Sequence, residues 1–164
     1  MSTLDPRPTL SSRALGMGAF VAAAVVAAAS GALTSTGAAE QYGALVQPTW
    51  APPPWLFGPV WTVLYALIAV SGWLVWRRAG WSGGRTALTV YAVQLVLNAL
   101  WTPLFFGAGL LGVAFAEILL LWVAIIATIV LFARHSRIAA AMLVPYLVWV
   151  SFAAALNLAI WMLN

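Results

Sequence analysis

The chain has no cysteine, no lysine, one histidine and three carboxylates in 164 residues. Each scarcity removes a class of function. Without cysteine there is no disulfide framework and no thiol chemistry. The formal charge of +4 comes from seven arginines scattered in pairs, which form no basic face for nucleic acid. The one histidine, His135, stands beside Arg134 in a loop between apolar stretches and reads as a solvated residue. Neither a buried metal site nor histidine ligation of haem iron is then available inside an apolar segment. No phosphate-cradling glycine loop is present. No arginine series marks a voltage sensor.

What is there is apolar. Hydrophobic residues make up 65% of the chain and charged residues 6%, with a mean hydropathy of +1.03. A soluble domain of this size cannot hide so much apolar surface, whereas a bilayer serves as its solvent. Five stretches have the ~20 mainly apolar residues that a helical span needs. They run over 14–38, 56–76, 86–106, 110–133 and 139–163. The expected fold is all-α, an integral membrane bundle of five helices occupying 14–164, preceded by a disordered cytoplasmic tail over 1–13. Barrel strands would be shorter and would alternate in period two. The first stretch also fits a secretory signal peptide, with Arg7 and Arg13 ahead of alanines and small residues near Ser30. Its apolar run continues through Gly31-Ala32-Leu33, which is long for a signal core. Gly18, Ala22, Ala24 and Ala28 supply small-residue spacing for helix packing, so a retained span is the expectation.

With five spans, Arg7, Arg13, Arg77, Arg78, Arg85, Arg134 and Arg137 all fall on one side. The other side carries loop 39–55, a short loop near Gly107-Ala108-Gly109 and Asn164, and no arginine. The positive-inside rule places the arginine side in the cytoplasm, with the N-terminus inside and the C-terminus outside a cell membrane.

Three spans carry aromatic–polar stripes at helical spacing. Phe57, Trp61 and Tyr65 share a face of the second; Tyr91, Gln94, Asn98, Trp101 and Phe105 share one of the third; Trp149, Ala153, Asn157 and Trp161 share one of the fifth. Amides in hydrocarbon do not face lipid. They either glue helices together, at on the order of 1 kcal/mol per bond, or line a cavity. Their depth favours a cavity, because Trp61, Asn98, Trp101 and Asn157 converge in the outer half below loop 39–55. That loop holds Pro48, Pro52, Pro53 and Pro54 with Trp50 and Trp55. Its composition fits an interfacial tryptophan belt; the sharper alternative is a rigid aromatic lid. Glu117 is the one carboxylate inside a span. It is either a neutral acid bonded to a neighbouring helix or a functional acid. Pro103 and Pro145 are expected to bend the third and fifth helices.

The run Tyr42, Leu45, Pro48-Thr-Trp50-Ala-Pro52-Pro53, Phe57, Pro59-Val60-Trp61-Thr62 and Leu64-Tyr65 resembles the translocator protein family. Its members are also called tryptophan-rich sensory proteins or peripheral-type benzodiazepine receptors. Gln94-Leu95, Asn98, Trp101-Thr102-Pro103, Phe105-Phe106-Gly107, Pro145-Tyr146-Leu147, Trp149, Phe152-Ala153 and Leu156-Asn157 continue the likeness over residues 30–164. The resemblance implies a homodimer-forming five-helix bundle that binds tetrapyrroles such as protoporphyrin, isoquinoline and benzodiazepine-type ligands, and in some members sterols. Carried over, the ligand site comprises Trp61, Asn98, Trp101, Trp149, Ala153 and Asn157, with Trp50 in the lid. Tyr65 joins them from its own stripe. Glu117 stands where many members carry an acid.

Gln41-Tyr42 and Gln47-Pro48 depart from the family's usual Trp-Tyr and Lys-Pro. The second departure removes a cation that would meet a propionate, so weaker binding of anionic ligands is expected. No basic residue follows Tyr146, so the sterol motif there is missing; the reversed pattern Arg85…Tyr91…Val93 fits only formally.

The expected function is non-enzymatic binding of a porphyrin or similar hydrophobic molecule in the bundle. No cofactor is required, and the role is transport, sensing or regulation. The alternative that the resemblance offers is oxidative porphyrin degradation with Trp61 and Trp149 as electron partners. The orientation is testable with cysteines at Thr49, Ser82 and Ser136 and an impermeant thiol reagent on intact cells. Only the Thr49 variant should label; labelling at Ser82 would invert the topology.

Overall fold

The computed structural model describes residues 10–34 and 37–164; of the tail expected over 1–13, residues 1–9 lie outside the described residues and 10–13 belong to a helix. The chain is an all-helical five-span membrane bundle. Helix α1 covers Leu10–Thr34 and the short α2 covers Ala38–Ala44. Helix α3 covers Phe57–Gly83, α4 Arg85–Thr102, α5 Leu111–His135, α6 Arg137–Met142 and α7 Val144–Leu163. The spans are α1, α3, α4 with its continuation to Gly107, α5, and α6 with α7. All but α1 are long and apolar enough to cross a membrane by themselves; α1 carries a shorter apolar stretch, Gly16–Ala27.

Helix α1 begins four residues before the expected Ala14 and stops four before 38. Its packing seam also differs from the expected one. Gly18 and Ala22 are exposed, and a Cβ on Gly18 would meet nothing. The buried face is Gly16, Phe20, Ala24 and Ala27, at spacings of four, four and three. Small-residue spacing alone does not say which of several overlapping small-residue faces meets a neighbour. Gly16 lies against the Trp76 ring, and Phe20 fits where Gly72 leaves room.

Proline acts more locally than a smooth bend. After α4, Pro103–Gly107 forms a π-helical turn, in which Ala108 N donates to Pro103 O at 2.9 Å. Such widened turns absorb a residue that the α-helical pattern cannot fit. The fifth span is interrupted at Leu143, so that Pro145 sits in the first turn of α7, where its missing N–H costs nothing. At Gly80 (φ 65°, ψ −173°) α3 leaves helical geometry in a conformation that glycine adopts readily. The chain then turns into α4.

Arg78 Nη1 donates to the carbonyl of His135 at 3.2 Å. This contact brings the α3–α4 and α5–α6 corners, and with them Arg77, Arg78, Arg85, Arg134 and Arg137, to one end of the bundle. Residue 46 and Asn164 meet at the other end, joined by two hydrogen bonds. Ser136 is buried and caps α6 by accepting from Ala139 N at 3.2 Å. A cysteine there would report poorly, whereas Ser82 and Thr49 are exposed.

The core of Ile68, Val75, Leu121, Ile125, Phe132 and Val150 fills the middle and the arginine end. Tyr91 stacks on Phe132 at 5.7 Å and donates to Ile68 O at 3.2 Å. A Cβ on Gly72 would stand 2.8 Å from both Phe20 and Tyr91. Gly72→Ala is therefore expected to cost about 1–3 kcal/mol, and Gly18→Ala to be neutral or slightly stabilising. Thermal unfolding in detergent distinguishes the two; equal midpoints would show that the α1–α3 contact is not close-packed.

Candidate functional site

Away from the arginine end the helices part around a cavity of about 830 Å³. Trp61 and Tyr65 of α3, Asn98 and Trp101 of α4, and Trp149 and Ala153 of α7 all line it. Two amide links hold this wall. Tyr65 Oη donates to Asn98 Oδ1 at 2.7 Å, and Asn98 Nδ2 donates to Tyr146 Oη at 3.0 Å, tying α3, α4 and α7. Trp101 Nε1 donates to Asn157 Oδ1 at 3.2 Å, and Asn157 Nδ2 donates to Leu111 O at 3.0 Å, tying α4, α7 and the start of α5. Each link satisfies polar groups that hydrocarbon would leave unpaired.

The aromatic rings pack in three groups around the cavity. Tyr42 meets Phe57 at 5.6 Å, Phe57 meets Trp149 at 5.8 Å, and Trp149 meets Phe152 at 5.5 Å. Phe152 carries Trp50 on its outer side at 5.8 Å. Deeper in, Trp61 contacts Tyr65 at 5.2 Å and Tyr146 at 6.1 Å. Trp101 stacks on Phe105 at 4.9 Å. The edge-to-face geometry of several of these pairs locks each ring against the next.

Loop 45–53 forms a roof at the end of the bundle away from the arginines, and Tyr42 and Pro54, on either side of it in the chain, line the cavity. Tyr42 is buried beneath it, and burial pushes its phenol pKa up, so it stays a donor; its Oη donates to Pro52 O at 3.3 Å. Gln47 Nε2 donates to Tyr42 O. The side chain that occupies the usual cation's position therefore braces the roof from within. Asn164 clamps the roof from below: Val46 N donates to its Oδ1 at 3.0 Å, and its Nδ2 donates to Val46 O at 3.0 Å.

A model of the TspO/MBR family matches residues 19–162. The chain belongs to that family. It is 42% identical over 146 residues to protein CrtK of Rhodobacter capsulatus, covering 88% of this chain and 89% of the relative. It is 40% identical over 122 residues to the human translocator protein, covering 73% and 72%. To the tryptophan-rich sensory protein of Cereibacter sphaeroides it is 39% identical over 141 residues, covering 84% and 87%.

In this TspO/MBR member the geometry brings together six of the eight ligand-site residues that the sequence nominated. Trp50 does not line the cavity: it is half-exposed on the roof's outer side. Asn157 is fully buried behind Trp101 and positions that ring rather than reaching the cavity. The stripes divide in the same way. Tyr91 belongs to the core, Gln94 is buried with no hydrogen-bond partner among the described residues, and Trp161 packs over Gly112 and Phe115. Tyr42, Phe57 and Phe106 also line the cavity. Phe57 was visible as the first residue of its stripe, but nothing in the spacing marks Tyr42 as facing inward.

Glu117 lies behind the cavity, on the buried face of α5 with Ala114 and Ile118. Both carboxyl oxygens are buried without a partner among the described residues. The bond to a neighbouring helix, one of the two alternatives for this acid, is thus not made by any described residue. Glu117→Gln keeps the shape and is expected to leave porphyrin affinity within about twofold (~0.4 kcal/mol) at every pH tested. Titrations at acidic and alkaline pH check this; a pH-dependent change in affinity would show that the ligand senses the carboxyl group.

Proposed function

We propose that this protein binds a flat, hydrophobic ligand of the tetrapyrrole class within its helix bundle, without catalysis. In this reading it carries or senses the ligand for the cell, and no cofactor is needed. The observation that carries the reading is the cavity itself, in which Trp61, Trp101 and Trp149 stand around one space with Tyr65 and Phe57. Its volume of about 830 Å³ falls within the range of roughly 300–1,000 Å³ typical of small-molecule sites. Indole rings offer a macrocycle large flat faces, and each aromatic contact adds on the order of 1 kcal/mol beyond burial.

The wall is mostly apolar, and its amides are engaged. Asn98 already accepts from Tyr65 and donates to Tyr146. Ligand polar groups therefore find few free partners, and stacking and burial supply most of the affinity. The relatives' names, translocator and sensory protein, support carriage or sensing over chemistry. The arginine-bearing end faces the cytoplasm of a cell membrane by the positive-inside rule, and a homodimer is the assembly that the family likeness favours.

Trp149→Ala is expected to weaken protoporphyrin binding by about tenfold or more (~1.4 kcal/mol), with the fold intact. The control is Trp122→Ala, since Trp122 bonds Ser151 at 2.8 Å and does not line the cavity. Fluorescence titration of both variants with thermal unfolding in parallel decides the point. Equal losses would mean general destabilisation rather than a site. Incubation of the porphyrin complex in light and in dark, with product analysis, separates binding from degradation; a protein-dependent loss of macrocycle would sink the non-enzymatic reading.

A further inference from the structure

The cavity is walled unevenly. On the α4, α5 and α7 side its lining residues are buried or half-buried, including Asn98, Ile118, Leu121 and Val150. On the α1 and α3 side several are exposed: Val21 at 44%, Val25 at 58%, and Gly58, Thr62 and Ala66, with Pro54 where the loop enters α3. A residue that both borders a cavity and is exposed stands at its opening. These residues lie on the facing flanks of two membrane-spanning helices, so the medium outside them is the bilayer.

The same two helices are close-packed nearer the arginine end. There Gly16 meets Trp76, and Phe20 occupies the space that Gly72 leaves. Beyond this contact Val21, Val25, Gly58, Thr62 and Ala66 form an exposed, mostly apolar rim. Its one hydroxyl among the described residues, that of Thr62, donates to Gly58 O at 2.9 Å. The roof, in contrast, is fastened. Asn164 grips both backbone groups of Val46, Tyr42 holds Pro52, and Trp50 rests on Phe152. Pro48, Pro52, Pro53 and Pro54 restrict what remains.

We propose that ligands reach the cavity sideways from the bilayer, through the gap between α1 and α3, beneath a roof that stays shut. This rests on the binding reading above. It adds a selection rule: a ligand must first dissolve in the membrane and must pass an apolar rim, macrocycle first. The residues at the gap then set the exchange rates, while the aromatic wall sets the affinity.

The cysteine-free chain makes the test direct. Val46→Cys with Asn164→Cys locks the roof by a disulfide, and Val25→Trp narrows the gap. Protoporphyrin association and release are followed by stopped-flow tryptophan quenching in lipid nanodiscs. Locking the roof should change the association rate by less than about twofold. Val25→Trp should slow association and release together, by about fivefold or more, with a smaller change in affinity. Slowing by the locked roof that reductant reverses, or unchanged rates in Val25→Trp, would overturn the proposal. A ligand-free arm separates this from the binding reading. Ala153→Cys, on the far cavity wall, should react with an uncharged, lipid-soluble maleimide and not with a charged one, and adding Val25→Trp should slow that reaction. If porphyrin fails to bind while this labelling pattern holds, the tetrapyrrole reading falls and the lateral gap stands. Labelling by the charged reagent, or no slowing by Val25→Trp, would show that the route lies elsewhere.

Discussion

In hydrocarbon an unpaired amide is costly, and the arrangement of the cavity follows from how Asn98 and Asn157 avoid that cost. Each asparagine spends its oxygen on an aromatic donor and its nitrogen on a second helix. Hydrogen bonds between membrane helices are individually modest, at ~1 kcal/mol. Their directionality matters more here than their strength. Asn98 fixes the ring of Tyr65, and Asn157 fixes that of Trp101, so each amide link aims a flat face into the cavity. Glue between helices and lining of a site, which compete as explanations of the sequence, are here one arrangement.

The roof rests on one of the ring groups. Phe152 and Trp149 are neighbours on α7, one under Trp50 and the other facing the cavity. Phe57 and Tyr42 continue the ring contacts to the opposite side. The tryptophan-belt and lid readings of loop 39–55 thus describe different residues. Trp55 is the most exposed tryptophan of the loop and fits a belt, while Trp50 serves the roof.

Much of this was legible in the sequence because the helical period is strict. A stripe at spacings of three and four must share a face, so Trp61 with Tyr65, Asn98 with Trp101, and Trp149 with Ala153 could each be placed on one face, and the family resemblance joined the three faces into one site. Depth along a span was legible too, from the loops that bound it. Rotation about a helix axis relative to a particular neighbour was not. The face of α4 that carries Asn98 also carries Tyr91 and Gln94, yet those two serve the core below the cavity. Likewise Gly18 and Gly16 are equivalent in composition, and only the position of Trp76 distinguishes them. Contacts between distant segments, such as Asn164 with Val46, leave no periodic trace at all. The π-helical turn after Pro103 had a proline as its marker, but a proline does not specify which local geometry relieves it.

On the proposed reading a macrocycle is held by ring stacking and burial, with no protein atom on its centre. Among the described residues no cluster of metal-binding side chains occurs, and His135 lies at the arginine end of the bundle. Met142 lies at that end as well, Met162 is exposed near the far end of α7, and Met17 of α1 is the one thioether among the described residues that lines the cavity, so it is the residue a six-coordinate haem would implicate. A paired titration of protoporphyrin and haem by tryptophan quenching, with the Soret band recorded for both, tests this most directly. Similar affinities for the two are expected, with no new axial nitrogen or sulfur ligand in the haem spectrum. Haem binding tighter by about tenfold (~1.4 kcal/mol), together with a six-coordinate spectrum, would contradict it.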